Sequence, residues 1–549
     1  MLKIIPLGGL GEIGMNMMAF ELDNTIFVVD AGLMFPEDHM FGVDYVVPDI
    51  TYLKENQDKV AGIILTHAHE DHIGALPHLI REINIPIFGT PFTVRMAGQK
   101  LTEFGMAYMA RTHTISPGDA IRLGRFEIEF IRVGHSVIDG IGLNIGTPYG
   151  RIVHTGDFKV SHAGPDHLRT DLNRFARLGA RGVLLLMSDS TNAEKKGFSL
   201  SDSEVGETLS RAIGQAPGRV IVALFASSIT RIQQIIEIAV GRNRKVAFHG
   251  RSIEKSTRIA AQLGHLTVPD GLKIPIRAVT NYPPEEVIII TTGSQGEPMS
   301  ALARMAGGFH KQIGIMPKDT VILSSKFIPG NERAIGAIIN NLYRRGAQVI
   351  YEKISAIHTS GHAFTEELKL MLNLTRPQYF MPIHGEYRHL YLHAQLAHAM
   401  GMENERVLLV ENGQEVLLDE TGGRIASKVE TGRIMVDGKG IGDVGLSLLK
   451  ERQMLSEEGV VAVTIAFDEE TGVIMYGPEV VSRGFVFEAA TGHLLDDAQC
   501  VILEEVESIS QDDPERIEKV TSRVKSSLRK YFFFAIGRRP LVLPFIIKV

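Results

Sequence analysis

Six residues constrain this chain more than any others: His67-Ala-His69-Glu-Asp71-His72. They follow directly on an apolar, β-branched run at 60–66 (VAGIILT) and lead into helical patterning at 72–82. Three imidazoles and a carboxylate on one tight strand-to-helix loop are borderline ligands at the density that Zn²⁺ or Mn²⁺ requires. The bland alternative is a polar loop with chance histidines, and the strand–loop–helix setting argues against it. The single cysteine, Cys500, makes a thiolate cluster impossible, so a transition metal here must be held by His, Asp and Glu. It also excludes an intrachain disulfide and fits a reducing, cytoplasmic location.

Further ligands should come from the ends of other strands, and three stand in order. His135 follows the apolar run 128–133, Asp157 follows 151–154 in His-Thr-Gly-Asp-Phe, and His384 follows 378–381 in Pro-Ile-His-Gly-Glu. Each sits just past a buried strand, where a rigid scaffold can hold it accurately. Any one alone would read as an ordinary histidine or aspartate; the shared placement is what points to a metal site.

Strand-like runs also occur at 25–30, 182–187, 220–225, 287–291 and 321–324. They alternate with helical patterns at 202–215, 231–240, 253–262, 334–345 and 365–374, the last with Thr365 as its expected cap. This is an α/β chain. The region 202–351 repeats the strand–helix rhythm without metal-type motifs and reads as an inserted α/β domain. It divides a first domain into 1–201 and 352–430. A glycine-rich stretch at 431–446 reads as a linker. Beyond it, 447–549 reads as a small C-terminal α/β domain, with strands at 460–467, 473–481 and 541–548.

Gly9-Leu-Gly11-Glu-Ile-Gly14 fits the dinucleotide-binding pattern, but that reading needs a helix after the glycines. Residues 16–24 read instead as a strand turning back into 25–30, so a dinucleotide enzyme is set aside. No apolar run approaches the ~20 residues that span a bilayer, and no membrane association is expected. The net charge of −7 argues against a non-specific basic nucleic-acid binder, although not against a local positive channel.

The HAHEDH loop, with Asp30 upstream and His135 and Asp157 downstream, resembles the metallo-β-lactamase superfamily. The resemblance implies an αββα sandwich with two divalent ions in one groove, Zn²⁺ ahead of Mn²⁺. It places His67, His69 and His135 on one ion and Asp71, His72 and His384 on the other. Asp157 would bridge them, and Asp30 would orient a ligand histidine. Three further segments are similar to the β-CASP nucleases within that superfamily: Met187-Ser-Asp189-Ser-Thr-Asn, His358-Thr-Ser-Gly-His362, and His384. The insertion 202–351 stands where the β-CASP domain should lie.

Within that group the chain resembles the bacterial ribonuclease J family almost end to end. The likeness runs from Gly8-Gly-Leu-Gly-Glu-Ile-Gly through Phe225-Ala-Ser-Ser, Thr292-Gly-Ser-Gln-Gly-Glu-Pro and Ile328-Pro-Gly-Asn-Glu to Arg539-Pro-Leu-Val-Leu-Pro. It implies 5′→3′ exonuclease and endonuclease action on single-stranded RNA bearing a 5′-monophosphate, in rRNA processing and mRNA decay. It also implies a homodimer or homotetramer supported by the C-terminal domain, with other RNA-decay proteins as partners.

Two metal ions can activate water and polarise a phosphodiester oxygen together. The departing 3′-oxygen needs a proton, and His362 is the expected donor, held by Asp189 or His358. Asp30 and Asp71 complete the catalytic set. His358, Thr359, Ser360, Gly361, His362 and Ala363 precede a helix, whose N-terminus suits a phosphate, and Ser228 is expected to touch the substrate. Phe364 departs from the pattern, which has a small hydroxyl residue there. Ser228 and Thr230 stand where it has Asn and His. A small-molecule metallohydrolase would need neither the insertion nor His358 and His362. A dead RNA-binding scaffold would have lost ligands.

Overall fold

A computed structural model of the chain describes residues 1–161, 168–297, 299–325, 327, 331–352, 357, 359–438, 440–442, 445–485, 493–511 and 513–549. They form two compact units, Met1–Phe35 with Tyr45–Ile434, and Pro36–Asp44 with Met435–Val549.

The first unit is built on two facing sheets. One has eight strands, with Met17–Leu22, Thr25–Val29 and Val60–Ile64 near its centre. The second has six, in the order Tyr379–Ile383, Leu185–Asp189, Gly150–His154, Ile141–Thr147, Phe126–Arg132, Ala120–Leu123. Central strands such as Thr25–Val29 (TIFVV) are buried on both faces, which is why they read as continuous apolar runs rather than alternating ones. Phe27 joins the layers. It stacks on Phe20 of its own sheet and meets Phe126 of the other edge-on, both at 4.8 Å between ring centroids. Burying each ring stabilises the sandwich by about 2–3 kcal/mol. Helices such as Thr365–Thr375 and Tyr387–Ala399 cover the outer face of the six-stranded sheet, and Leu76–Glu82 and Pro91–Glu103 cover the other. The result is four layers, αββα.

Strand Tyr379–Ile383 lies parallel to Leu185–Asp189, in register from Leu185 opposite Tyr379 to Asp189 opposite Ile383. The chain therefore leaves the sheet after Asp189 and returns to the adjacent position. Between these points stands a wholly parallel five-stranded sheet, ordered Lys245–His249, Val287–Thr291, Val220–Ala223, Thr320–Leu323, Gln348–Ile350.

Two sequence expectations need correcting. The helix expected at 72–82 is two pieces, Glu70–Ile73 and Leu76–Glu82, because the Ala75 N–H donates to the Ala31 carbonyl (2.8 Å) rather than to Asp71, whose carbonyl is taken by Asn16, and Pro77 has no N–H for the Ile73 carbonyl. Thr365 is not the cap of its helix; Phe364 is, and the Glu367 carboxylate accepts the Phe364 N–H at 2.8 Å. After the glycines at 9–14 comes strand Met17–Leu22, antiparallel to Leu2–Gly8, and not a helix.

In the second unit, Val460–Phe467 pairs antiparallel with Ile474–Arg483 and parallel with Leu541–Lys548. Helices Leu494–Glu507 and Arg516–Ile536 cover one face through Val463, Ile465, Ile502, Val524 and Phe532. The stretch 431–446 contains two short strands, Arg433–Asp437 and Gly440–Ile441.

Candidate metal centre

The HAHEDH loop leaves strand Val60–Ile64 and is clamped to the segment 30–33. Ala31 N–H donates to the His72 carbonyl (2.7 Å) and Leu33 N–H to that of Glu70 (3.0 Å). This approach demands glycine at 32, since a Cβ there would lie 1.6 Å from the Asp71 carbonyl oxygen. Asn16 adds two donors to that carbonyl, its backbone N–H at 3.1 Å and its side-chain amide at 3.0 Å.

Around this loop the fold gathers residues from distant positions. His67, His69 and His135 form one group, and Asp71, His72, Asp157 and His384 another, with the ligand atoms of each group within 4.8 Å of one another. Asp30 and His384 both take left-handed backbone, φ 63° and 56°. That conformation is uncommon outside glycine and is held at both positions by the surrounding bonds.

The five histidines share a second property. Each has one ring nitrogen facing the groove and the other engaged outside it. His67 Nδ1 meets Thr66 Oγ1 (3.1 Å), His69 Nε2 meets Ser227 Oγ (3.1 Å), and His72 Nδ1 meets Asp30 Oδ2 (2.8 Å). His135 Nδ1 donates to the Gly361 carbonyl (2.7 Å), and His384 Nδ1 meets Thr191 Oγ1 (2.5 Å). Gly361 is required for this, because a Cβ would fall 2.5 Å from the His135 ring. Thr66 Oγ1 donates to Asp30 Oδ2 (2.8 Å) and Thr191 Oγ1 to Asp189 Oδ1 (2.7 Å), so both hydroxyls accept from their histidines. Outer anchors of this kind fix which nitrogen a metal receives.

The groove is chemically suited to cations. Asp157 Oδ2 is buried and has no hydrogen-bond partner among the described residues. Five imidazole nitrogens surround it, those of His72 (3.2 Å), His67 (3.6 Å), His384 (3.7 Å), His362 (3.8 Å) and His135 (3.9 Å). A buried, unsatisfied carboxylate oxygen is costly unless something charged completes it. Burial would raise the Asp157 carboxyl, but His384 and His72 hold it well below the usual carboxylate range. Burial holds His67 and His135 well below the ordinary imidazole value and takes His69 to about 4, so this trio is neutral and ready to ligate. In the other group burial is outweighed. Asp157 and Asp71 raise His72, and Asp157, Asp189 and Asp71 lift His384 to about 10. A metal there must displace protons. The nitrogen–oxygen donor set, without sulfur, fits Zn²⁺ or Mn²⁺.

Beside the groove, His362 Nδ1 bonds Asp189 Oδ2 at 2.8 Å. The other Asp189 oxygen accepts from Thr191, by N–H (2.9 Å) and hydroxyl (2.7 Å). Burial raises the Asp189 carboxyl, yet the charge and hydrogen bond of His362 outweigh it and keep it ionised. Asn192 ties this strand end to the next loop, its side-chain amide donating to Ser360 Oγ (2.6 Å) and to the His362 carbonyl (3.1 Å). Ser360 Oγ also accepts the His362 N–H (3.2 Å). With two donors already bound, its own proton is left to point elsewhere. Thr359 and Ala363 are buried, and His358 lies outside the described residues. Phe364 carries the Lys195 ammonium over its ring at 5.1 Å, while the Thr365 hydroxyl accepts the Gly197 N–H at 3.1 Å. Thr365 is thus committed to the loop and not to the groove. Ser228 stands at the N-cap of helix Ile229–Gly241 without a side-chain cap bond, and its neighbour Ser227 is the serine that reaches the histidines. Sequence reasoning had passed over Thr66, Thr191, Asn192 and Ser227.

An αββα sandwich with this groove defines the metallo-β-lactamase class of metal-dependent hydrolases, and the superfamily profile matches residues 11–191. Three more profiles match in order. They are the ribonuclease J β-CASP domain (217–342), the Zn-dependent metallo-hydrolase RNA specificity domain (346–409), and the ribonuclease J C-terminal domain (447–549). The chain is 44% identical to ribonuclease J of Thermus thermophilus, covering all of this chain and 95% of that one. It is 41% identical to ribonuclease J 1 of Streptococcus pyogenes over 99% of this chain and 97% of the relative. The chain belongs to the ribonuclease J family. A crystal structure of an Enterococcus faecalis protein of unknown function shares the fold, with a TM-score of 0.52 at 15% identity, covering 76% of this chain and all of that one.

Proposed function

We propose that this protein degrades and matures single-stranded RNA, as a 5′→3′ exonuclease that prefers a 5′-monophosphate and as an endonuclease. The observation that carries the reading is the His362–Asp189 pair, set 3.8 Å from the orphaned Asp157 oxygen and joined through Asn192 to the loop that opens helix Thr365–Thr375. His67, His69 and His135 would hold one divalent ion and Asp71, His72 and His384 the other, with Asp157 between them. Zn²⁺ is preferred and Mn²⁺ acceptable. Such ions supply a nucleophilic water at neutral pH and positive charge for a phosphodiester oxygen.

The chain's own residues do the rest. Asp189 accepts from His362 Nδ1 and orients the ring, leaving Nε2 to hand a proton to the departing 3′-oxygen. The water–phosphorus bond forms as the bond to the 3′-oxygen breaks, leaving a 5′-phosphate and a free 3′-hydroxyl. The Ser360 hydroxyl proton favours an anionic RNA end, whereas the N–H groups at the start of helix Thr365–Thr375 are already taken by the Glu367 carboxylate and the Lys195, Gly197 and Phe364 carbonyls. Asp30 keeps His72 in place, and Asp71 serves the metal beside it.

We assign the C-terminal unit to self-association as a homodimer or homotetramer. On the sheet face away from its helices, Val481, Leu543, Phe545, Ile547 and Tyr476 are exposed, a row of apolar side chains that a partner surface would cover. The described residues contain no helix long and apolar enough to cross a membrane, and the proposed setting is the cytoplasm, with RNA-decay proteins as further partners.

The test is digestion of one RNA carrying a 5′-monophosphate, triphosphate or hydroxyl, with Zn²⁺ or Mn²⁺ added. The monophosphate form should release mononucleotides processively. His362→Ala should lose this by about 10²–10⁴-fold while keeping its metal. Equal internal cleavage of all three forms would remove the exonuclease part.

A further inference from the structure

Of the five outer anchors on the groove histidines, four (Thr66, Asp30, Gly361 and Thr191) belong to the sandwich itself. Among the described residues, Ser227 is the anchor that comes from the inserted domain. It sits on the turn after strand Val220–Ala223, and its Oγ lies 3.1 Å from His69 Nε2. The other nitrogen of that ring, Nδ1, faces inward, 3.0 Å from His67 Nε2 and 3.1 Å from His135 Nε2.

Ser227 is not placed by chance contact. Its turn is closed by Ser228 N–H to the Phe225 carbonyl (3.0 Å) and Ile229 N–H to the Ser227 carbonyl (2.8 Å). From behind, fully buried Ser256 donates to the Ala226 carbonyl at 2.5 Å. Ser256 lies on helix Arg251–Gln262, which packs on helix Pro91–Glu103 of the sandwich and pairs Lys255 with Glu103. A line of contacts thus runs from the interface between the two domains to the ring of a metal ligand.

We propose that Ser227 is a positioning residue for the metal centre. Its hydroxyl oxygen accepts the Nε2–H of His69, selects the tautomer whose Nδ1 lone pair faces His67 and His135, and so ties metal affinity at that trio to docking of the inserted domain. A neutral imidazole carries one ring proton, so fixing it on Nε2 frees Nδ1 to ligate. Without the anchor the ring can take the other tautomer or turn away, and the three-histidine set loses a member. Because coupling of this kind is reciprocal, metal at the trio should also tighten the turn that holds Ser227.

This inference rests on the metal reading above, and the test separates the two. The metal-free protein, Ser227→Ala and Ser227→Thr are titrated with Zn²⁺ against a chromophoric chelator, and backbone hydrogen exchange is followed at 225–229. In Ser227→Ala one of two zinc affinities should fall by about 10–100-fold, the other staying within about twofold of wild type. Ser227→Thr, which keeps the hydroxyl, should recover most of the loss. Zinc should slow exchange at 225–229 in wild type and not in Ser227→Ala. If Ser227→Ala cannot be purified folded, Ser256→Ala loosens the same turn from behind and should weaken the same ion. Wild-type affinities for both ions in the alanine variants, or equal weakening of both, overturn the coupling alone. A wild-type protein that binds no zinc overturns the metal reading along with it.

Discussion

Removing the Asp30 carboxylate should unsettle the groove even with no metal present. Asp30 is buried and its two oxygens accept three bonds, from Thr66 N–H (2.7 Å), Thr66 Oγ1 (2.8 Å) and His72 Nδ1 (2.8 Å). In Asp30→Ala the Thr66 oxygen keeps the His67 Nδ1–H (3.1 Å) and its own proton can turn into the vacated space, but the Thr66 N–H is left without an acceptor and the His72 N–H with only a long approach to Thr66 Oγ1 (3.4 Å). Each orphaned donor costs about 1–3 kcal/mol. Alanine at φ 63° adds about 1 kcal/mol, since aspartate tolerates that conformation better. The sum is about 3–7 kcal/mol, a large share of the ~5–15 kcal/mol that holds a typical domain. At a urea slope of about 3 kcal/mol per molar, the unfolding midpoint should fall by about 1–2 M. Asp30→Asn keeps the shape, the backbone tolerance and one carbonyl acceptor, and should fall between the two. The assay is urea unfolding by circular dichroism in excess chelator, which removes the contribution of bound metal. An Asp30→Ala midpoint within about 0.3 M of wild type would refute the account of this carboxylate as the pin of the loop.

Three further outcomes are expected. Chelation should lower the thermal midpoint, and restoring Zn²⁺ at about a thousandfold its dissociation constant should return about 4 kcal/mol; differential scanning calorimetry reads both. The hydrogen bond and charge of Asp139 raise His265, a pair at 3.1 Å joining the inserted domain to the sandwich. Its stabilisation is full below the unfolded histidine value of 6.5 and is lost as pH rises through the higher folded one. Partly exposed, it contributes under about 1 kcal/mol, and His265→Gln should flatten the alkaline side of a stability–pH profile measured by urea unfolding. Phe545→Glu, on the open face of the C-terminal sheet, should shift the protein toward monomer by light scattering without moving the unfolding of the first unit.

Much of the architecture was legible from the chain because burial on both faces writes itself as apolar runs. The strand expected at 287–291 is Val287–Thr291, and the helix expected at 202–215 is Asp202–Gln215. The candidate ligands were legible because histidine and aspartate just past buried runs are conspicuous. Their anchors were not. Thr66, Thr191, Asn192 and Ser227 are short polar residues with no spacing signature, and each matters only through a partner fixed by tertiary packing. The serines after strand Val220–Ala223 show the limit. Composition treats Ser227 and Ser228 alike, and the turn decides which one reaches His69. The interruption at Gly74 and Ala75 was missed because helical periodicity survives a short break in the backbone ladder. That Pro36–Asp44 belongs with the C-terminal unit leaves no trace in local pattern at all.

Strand Tyr379–Ile383 takes its place beside Leu185–Asp189 only after the whole five-stranded sheet between them has been made. On a ribosome adding about 5–20 residues per second, that interval lasts on the order of ten seconds or more. Throughout it the nascent polypeptide holds His67, His69, His135 and Asp157 but lacks His384, and for most of it His362 as well. With His362 and His384 in the roles proposed above, an unfinished copy would stay chemically silent while still tethered to its own message, and the split architecture would time the birth of the activity as well as shape it.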